Sequence, residues 1–180
     1  MEVKECLKTR RSVRQFADRE VDPKLIEDII DTVSYSPSWK NTQITRYAAV
    51  TGELKDRIAA ECTGQYSHNG DIIRSAPVLM VQYFITKRSG FERDGSYSTK
   101  KEGAWQMYDA GISAGAFCSA AYDAGLATVI LGIFDYDKTA ELLGLDETKE
   151  VAVLIPLGYA VETPAVPRKK GVSDLLTFLS

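Results

Sequence analysis

WQMYDAGISAGAFCSAAYDA, from Trp105 to Ala124, leads through Gly125-Leu126-Ala127 into Thr128-Val129-Ile130-Leu131. The first stretch keeps helical character over its whole length and carries Gly111, Ala114, Gly115, Ala116 and Ala120. Small residues at that density let another backbone approach closely, so the segment reads as a central, tightly packed helix. A membrane helix with a GxxxG face is the competing reading, but Asp109 and Asp123 bracket too short an apolar run. The β-branched residues that follow read as a buried strand ending at Gly132.

Elements on either side complete the pattern. Val3, Cys6 and Leu7 mark one face of a short opening helix that runs into Arg10-Arg11. Asp22-Pro23 is a helix start, a cap residue followed by proline at the first helical position. Leu25, Ile26, Ile29, Ile30 and Val33 hold helical spacing until Pro37. Tyr47 to Val50 reads as a strand, Glu53 to Glu61 as a helix, and Gly64 to Gly70 as turns that put His68 in a loop. Val78 to Ile85 is a buried strand. Lys87 to Lys101 is polar and glycine-containing, the segment best suited to a loop or lid. Asp137 would cap a helix through Leu143, and Val151 to Leu157 is a further strand. The proline-rich tail from Val161 ends in Leu175, Leu176, Phe178 and Leu179, which need cover of the kind a second subunit gives. Helices and strands mix without regular alternation, so the fold class is α+β, one domain over residues 1–180 with 160–180 as a C-terminal arm.

Bulk properties narrow the function. The chain has 22 Lys plus Arg against 25 Asp plus Glu, a net charge of -3, which argues against a general nucleic-acid binder. Cys6, Cys62 and Cys118 are far apart and form no CxxC, fitting reduced thiols in a cytoplasmic protein. No two glycines are separated by one residue, so GxGxxG is absent, as is GxxxxGK[ST]. One histidine cannot supply a two-histidine metal site, and no metal site is expected. Against this acidic background, Arg10, Arg11 and Arg14 fall within five residues, and Arg168-Lys169-Lys170 stands near the other end. Planar guanidinium forks suit a concentrated anion such as a phosphate. The plainer reading is that Arg10 and Arg11 meet the negative end of a helix dipole.

The octet Thr9-Arg10-Arg11-Ser12-Val13-Arg14-Gln15-Phe16 resembles the RRSxRxF opening of the nitroreductase-like flavoproteins. Ser36-Pro37-Ser38-Trp39-Lys40-Asn41-Thr42-Gln43 resembles the family's SPSxxNxQ segment. Asp109-Ala110-Gly111, Gly125-Leu126-Ala127-Thr128 and the closing Pro167-Arg168-Lys169-Lys170 follow in the family's order. The resemblance implies a central mixed or antiparallel sheet flanked by helices, in an intertwined homodimer with exchanged C-terminal arms. It implies FMN bound without a covalent link, and NADH or NADPH as electron donor. Residues matching Arg10, Arg11 and Ser12 would hold the phosphate with a tail base, Arg168 before Lys169. Arg14 would reach the ring's pyrimidine edge, and Pro37, Ser38, Trp39 and Asn41 would line the flavin from the other subunit. Amides near Leu131 and Gly132 would face flavin N5. The flavin carries the chemistry, so no catalytic side chain is assigned. Nitroaromatics or quinones are the expected acceptors, with Trp39, Tyr66, Phe91 and Tyr97 as candidates for the substrate slot. Reductive dehalogenation, flavin breakdown and non-catalytic flavin binding are the alternatives.

Overall fold

The computed structural model describes residues 1–64 and 66–179. Two expected features touch its limits: Gln65 in the glycine-rich turn and Ser180 at the tip of the arm lie outside the described residues. In chain order the elements are α1 (Val3–Thr9), α2 (Pro23–Ser34), β1 (Thr45–Val50), α3 (Gly52–Glu61), α4 (Ser67–Ser75) and β2 (Val78–Ile85). They continue with α5 (Ala104–Asp123), β3 (Ala127–Thr128), α6 (Tyr136–Leu142), β4 (Lys149–Gly158) and α7 (Val172–Leu175).

The sheet runs β1-β2-β4-β3, and every strand pair is antiparallel. Alternation along β2 sends Leu79 and Val81 to one face and Val78 and Met80 to the other. The first pair packs with Ile58, Ile72 and Ile73 of α3 and α4; the second packs with Ile29 and Val33 of α2 and Phe117 of α5. Helices therefore cover both faces, which is why β2 reads as an apolar run interrupted only by Gln82. This is the α+β sheet with flanking helices expected from the sequence.

Three local expectations need correction. The glycine-rich turn gives way at Ser67 to α4, so His68 lies in a helix. Gly70 makes this possible: a Cβ there would stand 2.6 Å from the Ala59 carbonyl oxygen, so α4 rests directly on the backbone of α3. Next, α6 is capped by Asp135, whose carboxylate accepts the Lys138 N–H at 2.8 Å, while Asp137 sits in the first turn. Finally, β3 stops at Thr128, and Leu131 rejoins β4 only by an isolated bridge to Leu154. Both pairings share one register, which sets Pro156 opposite Val129, and a proline has no N–H to extend the ladder.

Gln82 is a buried polar residue inside this core. Its amide donates to the Tyr47 hydroxyl at 2.8 Å and to the Ala110 carbonyl at 3.1 Å, and Tyr47 also pairs with Ser113 at 2.9 Å. Burial pushes the Tyr47 phenol up to about 12, against the bonds from Ser113 and Gln82 that favour its ionised form. The folded protein therefore resists an ionisation that the unfolded chain undergoes near its ordinary value of 10.0. Stability attributable to Tyr47 is whole below that value and is lost as pH rises towards about 12. The loss should approach about 2–3 kcal/mol. Urea melts of wild type and Tyr47→Phe at alkaline pH check it: the two should converge as pH rises, and parallel curves would exclude Tyr47 as the source.

Candidate functional site

The arginine-rich octet lies where α1 ends. Arg10 caps that helix, its N–H donating to the Cys6 carbonyl at 2.9 Å. Beyond it the chain straightens along the sheet margin. Ser12 makes a parallel bridge with Thr128, the Val13 N–H donates to the Thr128 carbonyl at 3.0 Å, and Phe16 bridges Ala160. Val13 and Phe16 are buried anchors, while Ser12 is half-buried and Arg14 and Gln15 are exposed. Ser12, Arg14 and Gln15 then line one wall of a cleft of about 470 Å³, with His68, Asp71 and Ser75 of α4 opposite.

The individual arginines differ. One Arg11 guanidinium nitrogen donates to both the Lys8 and the Arg10 carbonyls at 2.8 Å, the helix-end role expected on dipole grounds. Its Nε is buried and has no partner among the described residues. Arg10 is half-buried, and its side chain makes no hydrogen bond among the described residues. Burial pushes the Cys118 thiol up, opposed by a hydrogen bond with Thr128 and, less, by the charge of Arg10. Arg14 is exposed, with a long contact of 3.4 Å to the Ser12 carbonyl.

The second set of residues occupies a strained turn. Lys40, Asn41 and Gln43 all have positive φ, at 44°, 55° and 48°. Asn tolerates that region, whereas lysine and glutamine cost roughly 1 kcal/mol or more each. Specific bonds hold the turn. Ser38 Oγ accepts the Gln43 N–H at 3.0 Å, and the Trp39 N–H donates to both oxygens of Asp109 at 3.0 and 3.1 Å. Asp109 also accepts from Ser89 Oγ at 2.5 Å, and Ser89 meets Thr42 at 2.7 Å. Trp39 packs on Trp105 with ring centroids 4.6 Å apart. Pro37, Ser38 and Gln43 line a separate cavity of about 530 Å³, between α2, β1 and α5. One chain therefore does not bring the octet and the Ser38–Asn41 turn to the same cavity.

Two expected contributors are placed differently from the sequence reading. The Leu131 N–H is already taken, donating to Leu154 at 2.8 Å, because the isolated bridge consumes it. Gly132 is exposed, and its N–H makes no hydrogen bond among the described residues, so of the two amides only Gly132's is open. Arg168 and Lys169 are exposed, and from Glu162 onward no hydrogen bond of the described residues ties the tail to the body. The segment expected as a loop or lid is irregular but internally tied. Phe91 bridges Tyr97, Lys40 pairs with Glu92 at 3.3 Å, and the Trp105 indole donates to Thr99 at 2.9 Å.

Sequence reasoning missed the polar residues beneath the site. Asp109 and Ser113 stand four apart on the central helix, on one face, and both are buried. That spacing inside an apolar helix was the available signal. His68, read as a loop residue, faces Arg14 across the smaller cleft. Asn69, beside it, donates to the Ile133 carbonyl at 3.0 Å.

Comparison with known proteins gives this geometry a context. The chain is 29% identical over 168 residues to a candidate NADH dehydrogenase/NAD(P)H nitroreductase of Methanothermobacter thermautotrophicus, covering 91% of this chain and 80% of that one. It is 26% identical over 180 residues to an iodotyrosine deiodinase of Haliscomenobacter hydrossis, covering 88% and 79%. An FMN and NADPH-dependent nitroreductase from Sphigopyxis sp. strain HMH superposes with a TM-score of 0.82 over 100% of both chains; at 19% identity this establishes the fold alone. The nitroreductase family profile matches residues 7–159, which include the arginine octet, the strained turn and the whole sheet, so the chain belongs to the nitroreductase family.

Proposed function

We propose that this protein is an FMN-dependent NAD(P)H oxidoreductase that acts as a homodimer. The observation that carries the reading is the octet: half-buried Arg10, Arg11 and Ser12 beside Arg14 and an open cleft, with the Arg11 Nε buried and unpartnered. Such a donor set fits a phosphate carrying nearly two negative charges, and charge-assisted bonds contribute about 1.5–3 kcal/mol each. Arg10, Arg11 and Ser12 would hold the phosphate, with Arg168 or Lys169 of the tail as the further clamp. Arg14 would place positive charge at the ring's pyrimidine edge, and the Gly132 amide would face the ring. Pro37, Ser38, Trp39 and Asn41 would line it from the partner subunit, which fits their separation from the octet within one chain. FMN held there would take hydride from NADH or NADPH and pass the electrons to an electron-poor acceptor such as a nitroaromatic or quinone. The chain's own residues position and polarise; none is needed as a proton donor.

Exposed apolar surface supports the homodimer. Tyr108 and Met107 stand out from α5, and Gly111 and Gly115 have open space where a side chain would be. Phe178 and Leu179 of the tail are about nine-tenths exposed, at 89% and 91%. Residues 1–180 then form one FMN-binding domain whose arm, 160–180, crosses to the partner. Its thiols Cys6, Cys62 and Cys118 are buried and unbridged, in keeping with the cytoplasm. Among the described residues no helix is long and apolar enough to cross a membrane.

The deiodinase relative favours a second reading, reductive dehalogenation on the same flavin. One experiment separates them. The purified protein is reconstituted with FMN, bleached anaerobically with NADH or NADPH, then offered a nitroaromatic, a quinone or an iodophenol. Reoxidation by the first two supports the proposal; reoxidation by the iodophenol alone supports the second. Failure to retain FMN would sink both.

A further inference from the structure

Asp109 is a carboxylate only 3% exposed, and no cation pairs with it among the described residues. Its neighbours are hydrogen-bond donors from two different segments. The Trp39 N–H reaches both its oxygens at 3.0 and 3.1 Å, and the Ser89 hydroxyl reaches one at 2.5 Å. Ser89 in turn meets Thr42, so the carboxylate ties both ends of the strained Trp39–Thr42 turn to the 86–103 segment. That segment presents Thr99 to the Trp105 indole at 2.9 Å, and Trp105 is the surface on which Trp39 rests. Two kinds of link thus join α5 to Trp39: the direct ring contact with Trp105, and the polar bonds that converge on the buried Asp109 carboxylate.

We infer that Asp109 is a positioning residue, a latch that sets the Trp39 indole against Trp105 and thereby shapes the acceptor slot. This rests on the FMN reading above for its functional consequence, though its geometric part does not. A neutral apolar residue at 109 would leave the Trp39 N–H and the Ser89 hydroxyl without their acceptor. The turn, strained at Lys40, would then relax to less costly backbone angles and carry Trp39 away. An asparagine of the same shape would keep one oxygen for the Trp39 N–H and offer its amide to Ser89 Oγ.

The chain has only two tryptophans, Trp39 and Trp105, so their pairing can be read directly as an exciton couplet in the circular dichroism of the protein without FMN. Asp109→Ala is expected to abolish the couplet, Ser89→Ala to weaken it, and Asp109→Asn to restore most of it. In the FMN-loaded protein, Asp109→Ala should lower kcat/KM for an aromatic acceptor roughly 10- to 100-fold, chiefly through KM. On a Trp39→Ala background the same substitution should change kcat/KM by less than about twofold, because the two act through one element. A couplet unchanged in Asp109→Ala would overturn the latch. So would a loss of kcat/KM that is fully retained on the Trp39→Ala background, which is what a merely structural role predicts. Should Asp109→Ala not fold, Ser89→Ala decides: a wild-type couplet and wild-type KM there reject the inference. Wild-type protein that takes up no FMN would remove the oxidoreductase reading, while the couplet still judges the latch.

Discussion

Phe117→Ala is expected to lose about 3–5 kcal/mol of folding stability and to melt roughly 6–20 °C lower. Phe117 is wholly buried at the middle of α5, in the core formed with Ile29, Val33, Met80, Ile155 and Leu157. Its ring stacks on Tyr47 at 5.2 Å, and Tyr47 is itself fixed by Ser113 and Gln82. The surrounding strands β2 and β4 are locked in a ladder that allows little collapse into the vacated space, so the cavity cost adds to the lost transfer free energy. Phe117→Leu, which keeps most of the volume, should cost less than about 1.5 kcal/mol. Urea denaturation of the three proteins checks this. A loss below about 1 kcal/mol for the alanine variant would mean that α5 shifts to fill the void, and the helix would then be a weaker platform for Asp109 than its packing implies.

That helix was the most legible part of the molecule. Trp105 to Ala124 was bounded to within a residue, since α5 runs Ala104–Asp123, because an alanine-rich stretch of twenty residues without proline, closed by Gly125, leaves little ambiguity. The β2 run was equally plain, since burial on both faces turns a strand into a continuous apolar word. What could not be read locally depended on contacts far away in the chain. Gly70 looks like a turn residue until α3 is placed so close that an added Cβ would stand 2.6 Å from the Ala59 carbonyl oxygen. Val129 and Ile130 have every strand propensity, yet Pro156, on another strand, ends their ladder. The α6 cap, Asp135, lies two residues before the Asp137 expected, the usual margin for a helix end.

The site divides in the same way. The octet was found because its cationic density is a sequence property, whereas its place beside β3 rests on the Ser12–Thr128 bridge, a contact distant in the chain. Asp109 was legible only as a polar interruption of the central helix and as part of Asp109-Ala110-Gly111. Its true partners, Trp39 and Ser89, are 70 and 20 residues away, and one contact is to a backbone N–H that no composition reveals. That the Leu131 N–H is already bonded was illegible for the converse reason. Sequence marks where a strand ends but not which of its amides the neighbouring strand has already used.

Arg10 and Arg11 separate two roles that the sequence could only superimpose, and replacing both should produce the largest functional loss. If the FMN reading holds, Arg10→Ala should weaken FMN binding roughly 10- to 150-fold, the equivalent of one charge-assisted bond of about 1.5–3 kcal/mol. It should leave stability without FMN unchanged, because its side chain makes no hydrogen bond among the described residues. Arg11→Ala should show both effects. It loses a phosphate donor, and it also strips the Lys8 and Arg10 carbonyls of their partner at the end of α1, costing about 0.5–1.5 kcal/mol of stability without FMN. The double variant should bind FMN at least about a hundredfold more weakly, and the deficit should shrink as salt screens the wild-type attraction. Flavin fluorescence titrations and urea melts of the FMN-free proteins measure the two quantities independently. Wild-type FMN affinity in Arg10→Ala would put the phosphate elsewhere. Wild-type stability in Arg11→Ala would show that its bonds at the helix end contribute nothing, leaving the phosphate as the reason for a second arginine.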